Sequence, residues 1–246
     1  RGNSKMRVMT DKFNSDIFGI KMGNIIDVSL CCTSEDVRQL IEQATLEQYK
    51  HLNVKVNSKD KVSTNAFLQN GFELVDTQLM YCIRTNDYLV NGTRGEKVHF
   101  RKYQEGDKEQ IINIAKTSYA IDQYHSDLGL DNDLCDIYYS EWIKNCCDGL
   151  ADKVMVAVLP NNKVIGYITL DYQENQAVVG LAAVQGCFRG RGFFTFLMDN
   201  TLRMLYKENI KWLFYGTQLS NIPVLKTMGH FGGFINYSNH VMHFMI

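Results

Sequence analysis

The stretch Val184–Phe194, read as Val-Gln-Gly-Cys-Phe-Arg-Gly-Arg-Gly-Phe-Phe, decides the fold of this chain. It follows an apolar run over Ala177–Val184 that predicts a β-strand. After it, apolar and small residues recur at helical spacing, at Phe194, Leu197, Met198, Thr201, Leu202 and Leu205. The sequence therefore predicts a strand that runs into a glycine-spaced turn, and a helix that begins at that turn.

This turn has the features of a pyrophosphate-binding loop. Its backbone N–H groups would point at one spot, and the dipole of the following helix would favour an anion there. Gly190 and Gly192 remove the Cβ atoms that would keep a bulky anion away, and Arg189 and Arg191 add positive charge. The P-loop pattern is absent, and Phe194 stands near the place where a dinucleotide motif needs its third glycine. A basic surface turn is the alternative interpretation.

Composition limits the class of protein. The chain has 246 residues, of which 45% are hydrophobic and 22% charged, as in ordinary globular proteins. Its net charge of −1 gives no basic field, so we expect no nucleic-acid partner. No apolar run approaches the roughly 20 residues of a membrane span, so we expect no membrane insertion. No signal peptide opens the sequence, which favours a cytoplasmic location.

The seven cysteines indicate neither a metal site nor a disulfide framework, because no Cys-x-x-Cys spacing occurs. We interpret them as reduced thiols of a cytoplasmic protein, which agrees with the absence of a signal peptide. They are Cys31, Cys32, Cys82, Cys135, Cys146, Cys147 and Cys187.

The chain divides into two predicted units, 1–90 and 96–246, because periodicity is lost over 85–95. A helix, strand, helix, Gly-Phe, strand pattern at 34–84 recurs at 193–245. The first copy has no Arg-Gly-x-Gly loop before its helix. We therefore predict that it is a degenerate half-domain that does not hold the cofactor.

Local patterns predict the elements of both units. In the first unit we predict strands over Phe13–Ile20 and Ile25–Leu30, a helix capped by Thr33, and a second helix that ends near Gly71. In the second unit the predictions are a helix capped near Asp107, a helix over Leu134–Cys147, a three-strand meander, a strand over Lys211–Gln218, a helix near Asn221 and a strand over Phe234–Phe244.

The pattern Arg189-x-x-Gly192 resembles the coenzyme A loop of the GNAT acyltransferases, although Phe194 occupies the position of its small last residue. The segment 217–221, Thr-Gln-Leu-Ser-Asn, is similar to the strand-to-helix junction of that fold, and Gly232 to the exit of its helix. The resemblance implies an α/β (α+β) GNAT fold, a central mixed sheet flanked by helices, preceded by an N-terminal truncated GNAT-like half-domain.

Two further segments resemble one GNAT subgroup, the bacterial enzymes that N-acylate amino sugars carried on dTDP. They are Ser15-x-x-Phe18-Gly19 and Tyr139-x-x-Trp142-Ile143-x-Asn145. The resemblance implies an N-acyltransferase that moves an acyl group, acetyl by default, from acyl-CoA to the amine of a dTDP-linked amino-deoxy sugar. Its role would be the synthesis of surface polysaccharide such as O-antigen or capsule, with acyl-CoA as co-substrate and no metal.

The resemblance also implies roles for single positions. Backbone amides of Ala182, Ala183 and Val184 would hold the thioester carbonyl and pantetheine, as an oxyanion hole. Asn221 would contact pantetheine, with a plain helix N-cap as the alternative. The pyrophosphate would contact the amides of Arg189, Gly190, Arg191, Gly192, Phe193 and Phe194.

The usual acid and base positions of the family are apolar here. Met228 stands where many relatives have the tyrosine that reprotonates the coenzyme A thiolate, and Val178 where others have a glutamate base. The acid–base group must therefore come from elsewhere, or water and oxyanion stabilisation must suffice.

We name His125 and Tyr215 as catalytic candidates. A histidine can accept a proton near neutral pH, whereas Tyr215 lies in the middle of a predicted strand, where a core position is the alternative. The predicted acceptor contacts lie mainly in the polar loop 121–133 and on the next helix. They are Tyr124, His125, Asp127, Tyr138, Trp142 and Tyr172. A solvated loop, and a core pair for Tyr138 and Trp142, are the alternatives.

Three functions remain open from the sequence. The first is acylation of a dTDP-amino sugar, and the second is acetylation of a peptide or small amine such as a polyamine. The third is a non-catalytic acyl-CoA-binding module, which the apolar Met228 and Val178 allow. The oligomeric state is also open, with a homodimer among the options.

Overall fold

The computed structural model describes residues 6–85 and 97–246, which form one ten-stranded sheet flanked by helices. The strands are β1 (Arg7–Thr10), β2 (Met22–Ile26), β3 (His51–Asn57), β4 (Glu73–Arg84), β5 (His99–Lys102), β6 (Lys153–Val158), β7 (Val164–Gln173), β8 (Gln176–Val184), β9 (Trp212–Gln218) and β10 (Phe234–Met245). The α-helices are α1 (Lys12–Phe18), α2 (Ser34–Leu46), α3 (Lys61–Gln69), α4 (Lys108–Lys116), α5 (Asn132–Asn145), α6 (Phe193–Lys207) and α7 (Ile222–His230).

The sheet is mixed, with the strand order β1-β2-β3-β10-β4-β9-β8-β7-β6-β5. The pairs β2–β3 and β8–β9 are parallel, and the other neighbouring pairs are antiparallel. The predicted central mixed sheet with flanking helices is therefore confirmed.

The two copies of the repeated pattern exchange their last strands. β10, at the end of the second copy, lies between β3 and β4 of the first copy, and β4 lies between β10 and β9. One sheet is therefore common to both copies. The predicted boundary over 85–95 lies, apart from Thr85, outside the described residues, and the division into two domains stays a prediction.

We call the side of the sheet that carries α1, α4 and α5 the front face, and the side that carries α2, α3, α6 and α7 the back face. On the front face, helix residues such as Ile111 and Ile143 pack against Tyr167 and Ala183 of the sheet. On the back face, α6 covers the second copy and α2 with α3 covers the first. Each helix layer thus buries one stripe of the sheet, as amphipathic helices do.

The predicted strand over Phe13–Ile20 is wrong, because this segment contains α1. The Asp11 side chain accepts a 2.9 Å hydrogen bond from the Asn14 N–H and caps the helix. Phe13 and Phe18 then lie on the same face and pack against Tyr138 of α5. The next strand, β2, also begins earlier than predicted.

The predicted helix stop and start signals of the first copy are confirmed. Thr33 and Asp36 form a capping box at the start of α2. Gly71 has φ +88°, a backbone conformation that favours glycine, and follows the end of α3.

Candidate functional site

Strands β8 and β9 separate after four paired residues. Their parallel register runs from Gln176 opposite Trp212 to Val179 opposite Tyr215. β8 then continues to Val184 paired only with β7 on its other side. A gap therefore opens between β8 and β9 at the end that leads into the glycine-spaced turn.

A β-bulge at Gly180 and Leu181 bends β8 away from β9. Across the bulge, Leu170 pairs with Val179 while Ile168 pairs with Ala182, so β8 contains one extra residue. The buried Thr169 Oγ1 accepts a 2.8 Å hydrogen bond from the Leu181 N–H in place of a backbone partner.

The backbone N–H groups of Ala182 and Val184 are directed into this gap. On the two neighbouring positions, Leu181 N–H donates to Thr169 and Gln185 N–H donates to the Ile165 carbonyl, both on β7. Because N–H direction alternates along a strand, the amides between them point to the opposite side. The geometry thus provides two donors for a carbonyl oxygen, at Ala182 and Val184, whereas the Ala183 N–H, also named from the sequence, points toward β7 and is not available.

The glycine-spaced turn wraps the end of β8 and starts α6. Gly190 has φ +74° and Gly192 has φ +85°, so both use the left-handed region that favours glycine. Arg189 folds back on the turn, where Nε donates to the Val184 carbonyl at 3.1 Å and a terminal nitrogen donates to the Ser118 carbonyl at 3.2 Å. Arg189 therefore links the turn to the loop after α4.

Aromatic side chains anchor the turn in the back-face core. Phe188 and Phe193 are buried and meet edge to face, with ring centroids 5.6 Å apart. The Lys163 ammonium and the Arg191 guanidinium lie 5.0 Å and 5.8 Å from the Phe188 ring centroid. Two cations thus stand beside the turn, while the Phe193 side chain serves the core and only its backbone can face a ligand.

The helix starts of the two copies differ in the groups that satisfy their N–H donors. Gly192 caps α6 without any side-chain hydrogen bond, and the first turn of α6 contains no acidic residue. At the start of α2, the Thr33 and Asp36 side chains accept hydrogen bonds from the N–H groups of the helix start, and Glu35 adds a second carboxylate to the first turn. The start of α6 can therefore bind an external anion, whereas the N–H groups at the start of α2 are already bound by carboxylate and hydroxyl groups of the helix itself.

Asn221 precedes α7, and its side chain makes no capping hydrogen bond. Its carbonyl accepts the helical bond from the Leu225 N–H at 3.1 Å. The side-chain amide is thus not used as a helix cap, and its contact with pantetheine stays a prediction.

The two usual acid–base positions contain no titratable group in this fold. Met228 is fully buried in the back-face core. Val178 pairs with Asp171 and Phe214 in the register of the sheet. A proton donor or acceptor must therefore come from other residues or from water.

Three tyrosines lie on or beside the strands that border the gap: Tyr167 on β7, Tyr215 on β9 and Tyr119 on the loop after α4. The hydroxyl groups of Tyr119 and Tyr167 lie 3.0 Å apart, and both interact electrostatically with Tyr215 of β9. Burial raises the pKa of all three hydroxyls above the usual value for tyrosine, so they stay protonated near neutral pH. Tyr215, a catalytic candidate from the sequence, thus belongs to a cluster that sequence reasoning did not find.

The loop between α4 and α5, residues 117–131, which we call the acceptor loop, is organised by two buried aspartates. Asp122 accepts hydrogen bonds from the Tyr124 N–H at 2.8 Å and from His125 Nδ1 at 2.6 Å. His125 Nε2 lies 3.4 Å from Asp136 Oδ1, and the imidazole stacks on Tyr139. Both ring nitrogens of His125 therefore face carboxylates.

Asp127 is buried and connects the acceptor loop to the sheet. Its Oδ2 accepts from His51 Nε2 at 2.9 Å and from His243 Nδ1 at 2.7 Å, and Oδ1 accepts from the Gly129 N–H. Burial raises the pKa of Asp127, but the hydrogen bonds from His243 and His51 outweigh it and hold the pKa below its usual range.

The three side chains of this cluster could also act as metal ligands. The second nitrogens, His51 Nδ1 and His243 Nε2, have no hydrogen-bond partner in the described part of the chain. A metal-bound imidazole ordinarily donates its second N–H to an acceptor. A hydrogen-bonded cluster therefore fits this arrangement better than a metal centre.

Most of the other predicted acceptor contacts lie in the core. Tyr124 and Tyr138 are buried with ring centroids 4.6 Å apart, and Asn14 of α1 donates to the Tyr124 hydroxyl at 2.8 Å. Trp142 is half-buried and contacts Tyr138 edge to face. The structure thus supports the core-pair alternative for Tyr138 and Trp142.

Tyr172 lies apart from the other predicted acceptor contacts. It lies at the end of β7 beside the turn to β8, opposite the end where the gap opens. Its hydroxyl donates to Glu208 at 2.7 Å, and Lys153 forms an ion pair with the same carboxylate. Because its hydroxyl serves this surface cluster, we leave Tyr172 out of the proposed site.

A polar strip on the front face was missed from the sequence. The registers of β3, β10 and β4 place its residues on one side of the sheet, next to the acceptor loop. They are Asn53, Lys55, Asp76, Gln78 and Asn239. The alternation of polar residues in β3 was a usable signal, but the exchange of β4 and β10 that assembles the strip was not visible in the sequence.

Comparisons with known proteins agree with this architecture. No protein-family model matches the chain. Spore coat polysaccharide biosynthesis protein SpsD of Bacillus subtilis is 26% identical over 129 residues, which are 52% of this chain and 44% of the relative. The matched region thus spans less than half the length of that curated relative.

Two solved structures cover nearly the whole chain. A GCN5-related N-acetyltransferase from Sphaerobacter thermophilus has a TM-score of 0.66 at 11% identity, over 98% of this chain and 76% of that chain. The GCN5-related glucosamine N-acetyltransferase region of a fungal multi-domain β-N-acetylglucosaminidase has a TM-score of 0.68 at 13% identity, over 97% and 31%. The chain therefore has the GNAT fold. No helix in the described residues is long and apolar enough to cross a membrane.

Proposed function

We propose that this chain is an acyl-CoA-dependent N-acyltransferase that acts on the amine of a nucleotide-linked amino sugar, a dTDP-amino sugar being the first candidate. The observation that carries the proposal is the donor site at the gap between β8 and β9. There, the Ala182 and Val184 amides that point away from β7, the glycine-spaced turn and the start of α6, which has no side-chain cap, follow one another along the chain.

The donor site matches the chemistry of an acyl thioester joined to a pyrophosphate. The amides of Ala182 and Val184 would hold the thioester carbonyl and stabilise the oxyanion that forms on attack. The turn from Arg189 to Gly192 and the first N–H groups of α6 would bind the pyrophosphate. Asn221 would hold the pantetheine arm from the opposite side of the gap.

The acceptor would lie over the polar strip of the front face, between β4 and the acceptor loop. The amide and charged side chains of this strip suit a molecule with several hydroxyl groups. SpsD, the sequence relative, is named for polysaccharide biosynthesis, and one structural relative is named for glucosamine acetylation. Both names favour a sugar over a peptide as the acceptor.

The reaction joins the acceptor nitrogen to the acyl carbon and breaks the bond from that carbon to sulfur. The nitrogen loses two protons as its ammonium form becomes an amide, and the departing thiolate takes up one. A thiol with a pKa of about 8.5 is a tolerable leaving group near neutral pH. The protonated hydroxyls of Tyr119, Tyr167 and Tyr215 would be candidate donors to this thiolate.

Calorimetric titration with acetyl-CoA tests the proposed donor site. The rate at which the free thiol of coenzyme A is released tests the proposed acceptor. The acceptors are dTDP-4-amino-4,6-dideoxyhexoses, UDP-glucosamine, glucosamine 6-phosphate, spermidine and an N-terminal peptide. We expect one bound acetyl-CoA per chain and the fastest thiol release with a dTDP-amino sugar. The titration uses the full chain, because β4 and β10 tie both copies into one sheet.

Each outcome separates the competing functions. Fastest turnover of spermidine or the peptide would replace the sugar by another amine. Tight binding of acetyl-CoA without turnover of any acceptor would favour a non-catalytic acyl-CoA-binding module. Absence of acetyl-CoA binding would overturn the proposal altogether.

A further inference from the structure

Asp76 lies on the front face, in the strip where the two copies exchange strands. It stands opposite Val241 of β10, which in turn stands opposite Lys55 of β3. Residues directly opposite in a sheet share a face, so Asp76 and Lys55 project to the same side. Asp76 is half-buried, and its Oδ1 accepts a 2.6 Å hydrogen bond from the Thr77 N–H.

The strip connects Asp76 with the gap that holds the donor site. Gln78, two residues along β4, pairs with Gln218 at the end of β9. The Gln78 side chain also lies over Gly216 of β9, where a Cβ would stand 3.3 Å from Gln78 Nε2. An acceptor that lies across β4 and β9 can therefore approach both Asp76 and the gap.

A second polar group in the strip has no protein partner. Asn53 is buried, and its Oδ1 accepts no hydrogen bond from any described residue. A buried and unpaired amide oxygen is costly unless something donates to it. Lys55 Nζ donates to Gln78 Oε1 at 3.1 Å, which holds two further side chains of the strip in place.

The charges around Asp76 come from two elements. The pKa of the Asp76 carboxyl is raised to about 6: burial and, to a smaller extent, the carboxylate of Asp122 on the acceptor loop raise it, while the hydrogen bond from the Thr77 N–H and the Lys55 ammonium lower it. On β10 the facing residue is the apolar Val241, and beyond the last β4–β9 pair, Gln78 opposite Gln218, the apolar Leu219 donates its N–H to the Thr77 carbonyl. A carboxylate that titrates near neutral pH is suited to accept a proton.

We propose that Asp76 binds the ammonium group of the acceptor and takes its proton before attack. This inference rests on the proposed function and deepens it, because it assigns the base that Val178 does not supply. The freed lone pair attacks the thioester carbon, and the carbon–sulfur bond breaks. Of the two protons that leave nitrogen, the first goes to Asp76 and then to water, and the second balances the proton taken up by the thiolate.

The test compares the pH dependence of kcat/KM between pH 5 and 9 in the wild type and in Asp76→Asn, with the best acceptor of the set above. The wild type should lose activity as pH falls through about 6, because the Asp76 base becomes protonated. Asp76→Asn should lower kcat/KM by roughly 10²-fold or more and remove this acid limb. Its affinity for acetyl-CoA should stay at the wild-type value.

Two charge variants test the assignment without removing Asp76. Lys55→Met should move the acid limb to higher pH, because it removes the cation that lowers the pKa of Asp76. Asp122→Asn should move the limb to lower pH for the opposite reason. Glu174→Gln, the same change of carboxylate to amide in the exposed turn between β7 and β8, should leave rate and profile unchanged.

If the wild-type protein does not bind acetyl-CoA, the result counts against the proposed function and not against the role of Asp76. An Asp76→Asn variant that binds acetyl-CoA and keeps the wild-type rate and acid limb would overturn the inference. If no acceptor of the set is acetylated, the carbon-13 shift of the Asp76 carboxyl decides: titration at about 4, the ordinary value for aspartate, would overturn it.

Discussion

Asp127 Oδ2 on the acceptor loop lies 2.7 Å from His243 Nδ1 on the last strand, and both side chains are buried. His51, the first residue of β3, donates to the same oxygen. One carboxylate thus ties the acceptor loop to both copies of the repeated pattern. The position of the loop over the polar strip depends on this contact.

Asp127→Ala should therefore destabilise the protein and loosen the acceptor loop. The change leaves two buried imidazole donors without an acceptor, at a cost of about 1–3 kcal/mol for each. Urea unfolding measures the free energy, and hydrogen exchange of residues 117–131 measures the loop. Asp16→Ala, an exposed aspartate of α1, is the control and should change neither. An Asp127→Ala protein as stable as the wild type would contradict this role.

The same cluster should also make the free energy of unfolding smaller as the pH is lowered. Hydrogen bonds hold the pKa of Asp127 below its usual range, and burial lowers the pKa of His243 below 6.5. In both cases the unfolded chain binds the proton more readily, so folding is favoured at higher pH. The contribution of His243 is lost as pH falls below about 6.5, and that of Asp127 as pH falls below about 4. His243→Phe should flatten the upper part of this dependence in urea titrations.

Gly192→Val should abolish acetyl-CoA binding, since a branched side chain would block the pyrophosphate and would strain a residue with φ +85°. Arg189→Ala should weaken binding less, because Arg189 mainly holds the turn through the Val184 and Ser118 carbonyls. Calorimetry measures both. Gly186→Ala, where a Cβ meets no atom within 4 Å, is the control. Wild-type affinity in Gly192→Val would show that the pyrophosphate binds elsewhere.

Acetyl-CoA should bind at one site per chain despite the internal repeat. The start of α2 is filled by its own capping box, and the Asp60 carboxylate accepts from the Cys31 N–H in the segment before the helix. These carboxylates would repel a pyrophosphate that the start of α6 attracts. A stoichiometry of two in the calorimetric titration would contradict the degenerate character of the first copy.

Local signals explain which parts of the fold could be predicted. The capping residue Thr33, the glycine after α3 and the glycine-spaced turn act within a few residues, so the sequence displays them directly. The strand error at α1 arose because the Asp11 cap was not recognised before an apolar segment. The exchange of β4 and β10 depends on pairing between distant strands, and no local pattern encodes it.

The candidate site divides in the same way. The backbone amides and glycines of Ala182, Val184 and Gly192 lie in one continuous segment, so the sequence could indicate them, and their role in binding coenzyme A stays a prediction. Asp76 and Tyr119 gain their environment from residues more than 40 positions away, such as Asp122 and Tyr167. Their altered pKa values arise from burial and long-range contacts, so the sequence could not show them.

Thiolate protonation should depend on the tyrosine cluster and not on the usual position. Tyr215→Phe should lower kcat by roughly 10²-fold with little change in acetyl-CoA affinity, because it removes a protonated hydroxyl of the tyrosine cluster and keeps the ring. Met228→Leu, which preserves the buried volume, should leave turnover substantial. A wild-type kcat in Tyr215→Phe and in Tyr119→Phe would mean that water protonates the thiolate.

The last prediction separates His125 from Asp76 as the base. His125 Nδ1 is bound to Asp122, and Nε2 faces Asp136, so the geometry favours a role in shaping the acceptor loop. We therefore expect His125→Gln to raise KM for the acceptor more than it lowers kcat, and to retain the acid limb of kcat/KM. Asp76→Asn should show the reverse, a large fall in kcat and no acid limb. If His125→Gln alone removes the limb, the imidazole is the base, as the sequence suggests, and Asp76 serves only to bind the ammonium group.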